Sequence, residues 1–447
     1  MAIPDFQFPV IVPLVARHAE DAAFYWSQLD GADQSPQIGF NRLAHFNRLL
    51  DAHLDGLRVA GPTGRQAVFA ALERWKKPGE AFVCCWFAAG SEDEQPLADL
   101  LELVGKRPDE LLRGVVSALA WLPLDKALPV LQRWSLAEAA PVAQVAALRA
   151  AALIGRAAAP ALSQAPATLL RSDNAHVRAA SCRAMAALDD AGAALPSLRA
   201  ALLDTDLAVR AEAAIALASL RETEAAAPVL WQCVAAQAAL HARAGGWYRK
   251  AAARRLHRWV RHLAWLAPLG HPQIETLLTT LPPRASLAFA LCHGDMAHLP
   301  FVIGQMDNPD VDRYAAWVWQ TLTGIDLAGA GLALPEPDPA TLDPNARLTD
   351  ARLDADNGLP APNVTAVHAC VAAYPAPGGK RMLLGRELDP VHARALLDDA
   401  PQIIRALAAQ ALNQARTRPR IEIRAPAPRQ RLAIAAWDSA ANERDAA

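Results

Sequence analysis

Residues 172–188 read SDNAHVRAASCRAMAAL, and residues 204–220 read DTDLAVRAEAAIALASL. The second stretch repeats the first 32 residues later, so that Val177-Arg178 returns as Val209-Arg210. Apolar residues in both stretches follow the spacing of one helix face, and a proline 18 residues after each arginine marks the start of a second helix. A fixed period of this length predicts stacked helix pairs that share one long core.

Weaker copies of this unit lie on both sides of it, near Arg113, Arg149 and Asn308. We therefore predict a repeat array over 62–333. A helical N-terminal cap is predicted over 1–61, because an array needs an end with a polar outer face. The fold class is thus an all-α α-solenoid, or α-α superhelix.

The composition changes after the array. Residues 334–363 are rich in Pro and Asp, which predicts an exposed linker. Residues 364–447 follow as a small α+β C-terminal module with a polar tail. Within this module, Lys380–Gly385 and Ile421–Arg424 are interpreted as short strands, and the residues between them as helical.

Bulk properties exclude several classes of function. The 447 residues are 53% hydrophobic, and much of this is alanine, which favours helix. Basic and acidic side chains number 44 and 46, so the total charge gives no reason to expect an anionic membrane or nucleic acid as partner.

The six cysteines form no C-x-x-C pair and are expected to be buried thiols in a reducing compartment. No signal peptide or spanning segment is evident, which predicts a cytoplasmic protein.

Two resemblances add to this interpretation. The capping Asp, the Val-Arg pair and the following alanines in 173–180 and 204–213 resemble HEAT-like repeats. The two ends of the chain resemble an uncharacterised bacterial HEAT-like family that is often encoded beside type VI secretion components. This second resemblance is carried by HAEDAAF at 18–24, AHLDGLRVAG at 52–61, LGR at 384–386 and RAPAPRQ at 424–430. It implies an accessory role in type VI secretion with another protein as partner, either a secretion component or an effector, and it transfers no catalytic residue.

The strongest charge feature is Arg243–Arg261, which contains no acidic residue. Helical spacing places its cations along one stripe and apolar residues such as Leu256 and Trp259 on the opposite face. One interpretation is a solvated helix face whose arginines pair with acidic residues of neighbouring repeats. The other is a basic groove that binds an acidic protein. The same groove would serve the alternative function, a HEAT-like DNA-binding protein or DNA glycosylase. The candidate partner-binding residues are Arg243, Arg249, Lys250, Arg254, Arg258, Arg261, Trp259 and Trp265.

The remaining polar groups receive structural interpretations. Asp and Arg at the repeated positions are expected to join the turns of successive repeats through bidentate hydrogen bonds; these residues are Asp173, Arg178, Asp204, Asp206 and Arg210. His53, Asp55 and Arg58 are interpreted as a polar network or a contact surface of the cap. Core packing is the expectation for four tryptophans, and those that prove exposed would instead be candidates for partner binding; they are Trp259, Trp265, Trp317 and Trp319.

No metal, cofactor or catalytic site is predicted. Residues 292–298 hold Cys292, His293, Asp295 and His298, but a zinc site needs four protein ligands, or three and a water, and no second pair follows. Asp354–Gly358 only faintly resembles a calcium loop, because no Glu closes it. No phosphate-binding or hydrolase motif occurs. The sequence therefore predicts a non-catalytic scaffold or adaptor that binds another protein.

Overall fold

The computed structural model describes residues 10–90, 93–188, 192–335, 356–371, 379–414 and 420–445. Its α-helices are α1 (Val12–Gly31), α2 (Phe40–Val59), α3 (Pro62–Trp75), α4 (Pro78–Ala89), α5 (Gln95–Lys106), α6 (Pro108–Trp121), α7 (Leu124–Trp134), α8 (Pro141–Ile154), α9 (Pro166–Leu169), α10 (Ala175–Leu188), α11 (Leu195–Ala201), α12 (Leu207–Ser219), α13 (Thr223–Arg243), α14 (Gly246–Leu266), α15 (Ile274–Thr280), α16 (Pro283–His293), α17 (Leu299–Gly304), α18 (Asp312–Thr323), α19 (Val364–Val371), α20 (Pro390–Asp399), α21 (Gln402–Asn413) and α22 (Ala427–Asp445). Short 3-10 turns occur at Ala32–Gln34, Arg156–Ala161, Met296–His298 and Gln305–Asp307, and strands β1 (Met382–Leu383) and β2 (Arg386–Glu387) form an antiparallel hairpin. Over these residues the fold is all-α apart from that hairpin.

The chain divides into two compact units, Met1–Glu222 with Ala393–Ala447, and Thr223–His392. The second unit is therefore inserted into the sequence of the first. The domain boundaries predicted at 61, 333 and 363 remain a proposal about the organisation of the chain.

Successive helices of the first unit pack side by side. The longer helices α4, α6, α8, α10 and α12 each contact the next of that series, and the intervening shorter helices pack on them. One cluster of buried apolar side chains runs from Val15 in α1 to Ala184 in α10. Gly114 allows α6 to approach α4 closely, because an added Cβ would lie 2.0 Å from the carbonyl oxygen of Pro78. This lengthwise core is the packing of an α-solenoid.

Among the repeated polar residues, Arg178 and Asp204 join one repeat to the next. Arg178 donates from Nε and Nη2 to the two carboxylate oxygens of Asp204, at 2.8 and 2.9 Å. This hydrogen-bonded pair lowers the pKa of the Asp204 carboxyl. Arg210 donates to the carbonyl oxygens of Asp204 and Thr205, as Arg178 does to those of Ser172 and Asp173.

Helix capping differs slightly between the two repeats. The Asp206 carboxylate accepts from the backbone N–H groups of Ala208 and Val209 at the start of α12. At α10 the cap is the Asn174 side chain, which accepts from the N–H groups of His176 and Val177. Asp173 contributes its backbone carbonyl to Arg178 there.

The C-terminal helices of the first unit pack against its N-terminal helices. The Ala427 N–H donates to Oδ1 of Asn47 in α2, at 2.8 Å. Arg405 in α21 is fully buried, donates to Leu397 and to the Gln402 and Gln430 side chains, and lies 4.3 Å from the centre of the Phe40 ring. Its burial lowers the pKa of the guanidinium to about 10.

Residues 421–424 are not the strand that the sequence predicts. The N–H and carbonyl oxygen of Ile421 instead pair with the Asn413 side chain, both at 2.9 Å, so no neighbouring strand is needed. The following RAPAPRQ segment makes the contact with the rest of the unit. Arg424 donates to Asp30, and Arg429 donates to the carbonyl oxygens of Ala120, Trp121 and Leu122 at the C-terminus of α6.

The second unit contains α13, α14, α16 and α18, each of which packs on the next. The β1–β2 hairpin covers the C-terminal ends of three of these helices. Arg381 donates to carbonyl oxygens at the ends of α14 and α16, and the N–H groups of Leu384 and Gly385 donate to Thr321 and Leu322 in α18. Gly385 has a φ of 73°, and an added Cβ would lie 2.5 Å from the Thr323 carbonyl oxygen. The LGR motif is therefore a tight cap over α18.

The predicted linker is only partly described, since residues 336–355 lie outside the described ranges. Its described end is packed rather than exposed, which corrects the sequence-based expectation. Asp356 is 5% exposed and accepts a hydrogen bond from Arg284 at 2.5 Å, while Leu334 donates to the Ala361 carbonyl. Asp356 thus pairs with an arginine, while Asp354 and Ala355 of the supposed calcium loop lie outside the described residues.

Candidate partner-binding surface

A tight turn joins α13 to α14 and exposes the start of the second helix. Gly246, the first residue of α14, has a φ of 53°, and an added Cβ would meet nothing within 4 Å. Glycine is needed here for its backbone conformation and not for space. The next two residues, Trp247 and Tyr248, occupy the first turn of α14.

Trp247 and Tyr248 form an exposed aromatic pair. Their rings are stacked with centroids 3.8 Å apart and an interplanar angle of 26°, and they are 55% and 63% exposed. Leu240, in the last turn of α13, is 52% exposed. Large aromatic side chains of this kind supply most of the binding free energy in many protein interfaces. The turn therefore offers rigid apolar anchors to solvent.

Positive charge surrounds these anchors. Arg243, Arg249, Lys250, Arg254 and Arg255 are all exposed. No Asp or Glu occurs in the sequence between Glu224 and Glu275. Burial, and secondly the charge of Arg249, lower the pKa of His241 near the end of α13. The two helix ends therefore share one positive field, which favours acidic ligands.

We define the α13–α14 surface as Leu240, Arg243, Trp247, Tyr248, Arg249, Lys250 and Arg254. It combines exposed apolar side chains with exposed cations that are near them in the sequence, and both kinds of residue occur in protein interfaces. The geometry can bind an acidic segment that also carries an apolar side chain.

The other predicted candidates lie elsewhere on α14. Arg258 and Arg261 are half-buried. Trp259 is 1% exposed, because it lies on the apolar face with Leu256 and Leu263, so it belongs to the core and not to a binding surface. Trp265 is half-buried beneath the Arg381 guanidinium, 4.8 Å from the ring centre. Trp317 and Trp319 are also core residues.

Sequence reasoning missed the aromatic pair. It selected the cations on both sides of the pair, Arg243, Arg249 and Lys250, but among the aromatic residues it named only Trp259 and Trp265. The signal was nevertheless present, since a double glycine before two aromatic residues and two cations marks a turn whose next residues begin a new helix.

The N-terminal polar group does not form an acid–base site. Asp55 pairs with Arg58 at 3.0 Å on the surface, while His53 Nδ1 lies 2.9 Å from Nδ1 of His18 on α1. Burial lowers the pKa of His53. An added Cβ at Gly56 would lie 3.1 Å from the His18 ring. These motif residues therefore hold α1 against α2.

The cysteines are free thiols, and five of the six are buried. Burial raises the pKa of the Cys84 and Cys85 thiols, so neither is an activated nucleophile.

A second polar cluster is buried within the Thr223–His392 unit. The ligand-type atoms of His293, Asp295 and His298 all lie within 4.8 Å of one another. His298 Nε2 is 2.9 Å from His293 Nδ1, and His293 Nε2 is 3.3 Å from the Ala267 carbonyl oxygen. Burial, and then the charges of His298 and Arg381, lower the pKa of His293 to about 4, so its ring is neutral near pH 7.

Comparisons with known proteins support the repeat fold. A family model described as HEAT repeats matches residues 162–245, a segment that contains the 32-residue duplication and ends at the glycine before α14. No curated protein and no solved structure matches the chain. Among the residues that the structure describes, no helix has both the length and the apolar character needed to cross a membrane. Residues 162–245 are thus similar to HEAT repeats, and the packing of the described helices is that of an α-solenoid.

Proposed function

We propose that this protein is a non-catalytic scaffold or adaptor that binds another protein through the α13–α14 surface. HEAT-like repeats commonly serve as surfaces for protein interaction. The observation that carries the proposal is the exposed stack of Trp247 on Tyr248 within a run of cations. The partner is a protein segment that combines acidic residues with an apolar anchor.

The cellular setting that we propose is the bacterial cytoplasm, with an accessory role in type VI secretion. The support is the resemblance at the two ends of the chain. A pull-down from cells that express the secretion cluster should recover a secretion component or an effector. Recovery of no secretion-system protein would count against this setting while leaving the surface itself to be tested separately.

A direct test uses the full chain and a labelled acidic peptide in which Glu and Leu alternate, with a Gln-Leu peptide for comparison. We expect the W247A/Y248A double variant to weaken binding of the acidic peptide at least ~30-fold, since paired aromatic hot spots contribute about 2 kcal/mol or more. The matched control is Phe24→Ala, because Phe24 is equally exposed, at 55%, but lies outside this surface.

The charge contribution is measured with the Arg249→Glu variant and with added salt, both of which should weaken binding of the acidic peptide. Equal binding of the Glu and Gln peptides, or equal loss in F24A and W247A/Y248A, would refute the proposed surface. Duplex DNA of matched charge is the competing probe. Tighter binding of DNA than of the peptide at low salt would replace this proposal with the DNA-binding alternative.

A further inference from the structure

The sharp turn after α16 brings together the side chains of His293, Asp295 and His298, which a continuous helix would not hold on one face. Gly294 ends α16 with a φ of 71°, and Asp295 then begins the 3-10 turn Met296–His298. Because the chain reverses here, His293 and His298 approach each other although five residues separate them. A side chain at residue 294 would be strained by this φ, and an added Cβ would lie 3.1 Å from the Met382 carbonyl oxygen.

We propose that His293, Asp295 and His298 bind one divalent transition-metal ion of the zinc type. Two imidazole nitrogens and one carboxylate are a common ligand set for such ions. The three donor groups already lie within 4.8 Å of one another, and the residues are 0%, 1% and 7% exposed. A set of three protein groups leaves one tetrahedral position for a small ligand such as water.

The outer contacts of these residues are those of metal ligands. His293 Nε2 faces the Ala267 carbonyl oxygen, which fixes a proton on Nε2 and leaves the lone pair of Nδ1 directed at the cluster. The Asp295 carboxylate accepts from the N–H groups of Ala297 and Gly270, at 3.0 and 3.2 Å, and each oxygen keeps a second lone pair. Partners of this kind orient ligands and maintain their protonation state in metal sites.

The proton balance is simple. Without a metal, His298 Nε2–H donates to His293 Nδ1 over 2.9 Å. On metal binding, His298 changes tautomer: Nε2 releases its proton and Nδ1 takes one up, so the ring stays neutral and both inward nitrogens carry lone pairs. Two nitrogens bound tetrahedrally to zinc lie about 3.3 Å apart, so the rings need to separate by only a few tenths of an ångström.

The surrounding structure encloses the cluster. Phe289 stacks on His293 with ring centroids 5.3 Å apart. The β-hairpin covers the turn, since the Met382 N–H donates to the Gly294 carbonyl and Arg381 donates to the His293 carbonyl, both at 2.8 Å. A bound metal would therefore hold the end of α16, the 3-10 turn and the adjacent hairpin in one arrangement.

The test uses full-length protein without a histidine tag, either treated with chelator or loaded with Zn²⁺ or Co²⁺. Three measurements are made: metal content, the visible absorption of bound Co²⁺, and Tm. We expect about one ion per chain and a Tm about 5–10 °C higher with metal than in chelator.

Two variants distinguish a metal site from a simple hydrogen bond. His298→Gln keeps an N–H donor toward His293 but is a poor zinc ligand, so it should lose the metal and the metal-dependent part of Tm. His368→Gln removes an exposed histidine from the same unit and should behave as wild type. The proposal is overturned by wild-type protein that has the same Tm with and without metal, or by a metal effect that survives in H298Q.

Discussion

The pairing of Arg178 with Asp204 allows a measurement of how strongly one repeat holds the next. Arg178 makes two hydrogen bonds to backbone carbonyls of its own repeat and two to the carboxylate of Asp204 in the next. Arg210, its equivalent, makes the same two backbone contacts, and the position one period after Asp204 is Ala236. Arg210→Ala is therefore an internal control for Arg178→Ala.

The expected difference in stability between R178A and R210A follows from the burial of the Arg178–Asp204 pair. The side chains of Arg178 and Asp204 are 16% and 14% exposed, so water replaces little of the lost interaction. R178A loses two charge-assisted hydrogen bonds and leaves a mostly buried carboxylate without that partner, although the charge of Arg210 still attracts it. We expect R178A to lower the free energy of unfolding by about 3 kcal/mol and R210A by about 1 kcal/mol.

Urea unfolding followed by circular dichroism measures both variants, and hydrogen exchange of α10 and α12 locates the effect. The Arg178 pair lowers the pKa of Asp204, so its contribution is present above the unfolded pKa of about 4 and is lost as pH falls through the folded pKa. The difference in the free energy of unfolding between wild type and R178A should thus be constant from about pH 8 to pH 5 and become smaller toward pH 3. If R178A and R210A lowered the free energy of unfolding equally, the contribution assigned to the Arg178–Asp204 pair would be refuted.

Three further predictions concern other contacts. Arg429→Ala removes the arginine that caps the carbonyls at the end of α6 and should lower the free energy of unfolding of the first unit by about 1–2 kcal/mol, measured by urea titration. Gly385→Ala forces a Cβ against the Thr323 carbonyl at positive φ and should destabilise the second unit by at least about 2 kcal/mol, while Gly192→Ala, with open space around it, should not. Burial lowers the pKa of His53 below its ordinary 6.5, so the unfolded chain binds the proton more readily, and stability should fall as pH drops below 6.5. His53→Gln should reduce this loss between about pH 7.5 and 5.5 in thermal unfolding, and an unchanged pH profile would contradict the assignment.

Local spacing was sufficient to predict the helix faces of the repeats, whereas of the predicted bidentate contacts between repeats the structure shows the Arg178–Asp204 pair. The spacing that placed Trp259 beside Leu256 on the apolar face of α14 already implied that Trp259 is buried. It became a candidate for partner binding only because it is a tryptophan. A tryptophan can bind a partner only where its side chain is exposed to solvent. In α14 the turn at Gly246, and not the apolar periodicity, determines that Trp247 is exposed.

Contacts between distant parts of the sequence could not be predicted in the same way. Ala427 and Asn47 meet across 380 residues, and no periodicity connects them. The sequence analysis rejected a metal site at His293, Asp295 and His298 because no second pair of ligands follows them in the sequence. Only the left-handed turn at Gly294 and the neighbouring Ala267 carbonyl, which comes from another helix, create its geometry.

The discontinuous first unit has a consequence for biosynthesis. Its N-terminal helices emerge from the ribosome long before residues 420–430, which supply partners to Asn47 and to the end of α6. The intervening Thr223–His392 unit has its own internal contacts and can fold in the meantime. During that interval the Asn47 side-chain oxygen and the carbonyl groups at the end of α6 are hydrogen-bonded to water, which Ala427 and Arg429 replace once the late segment packs.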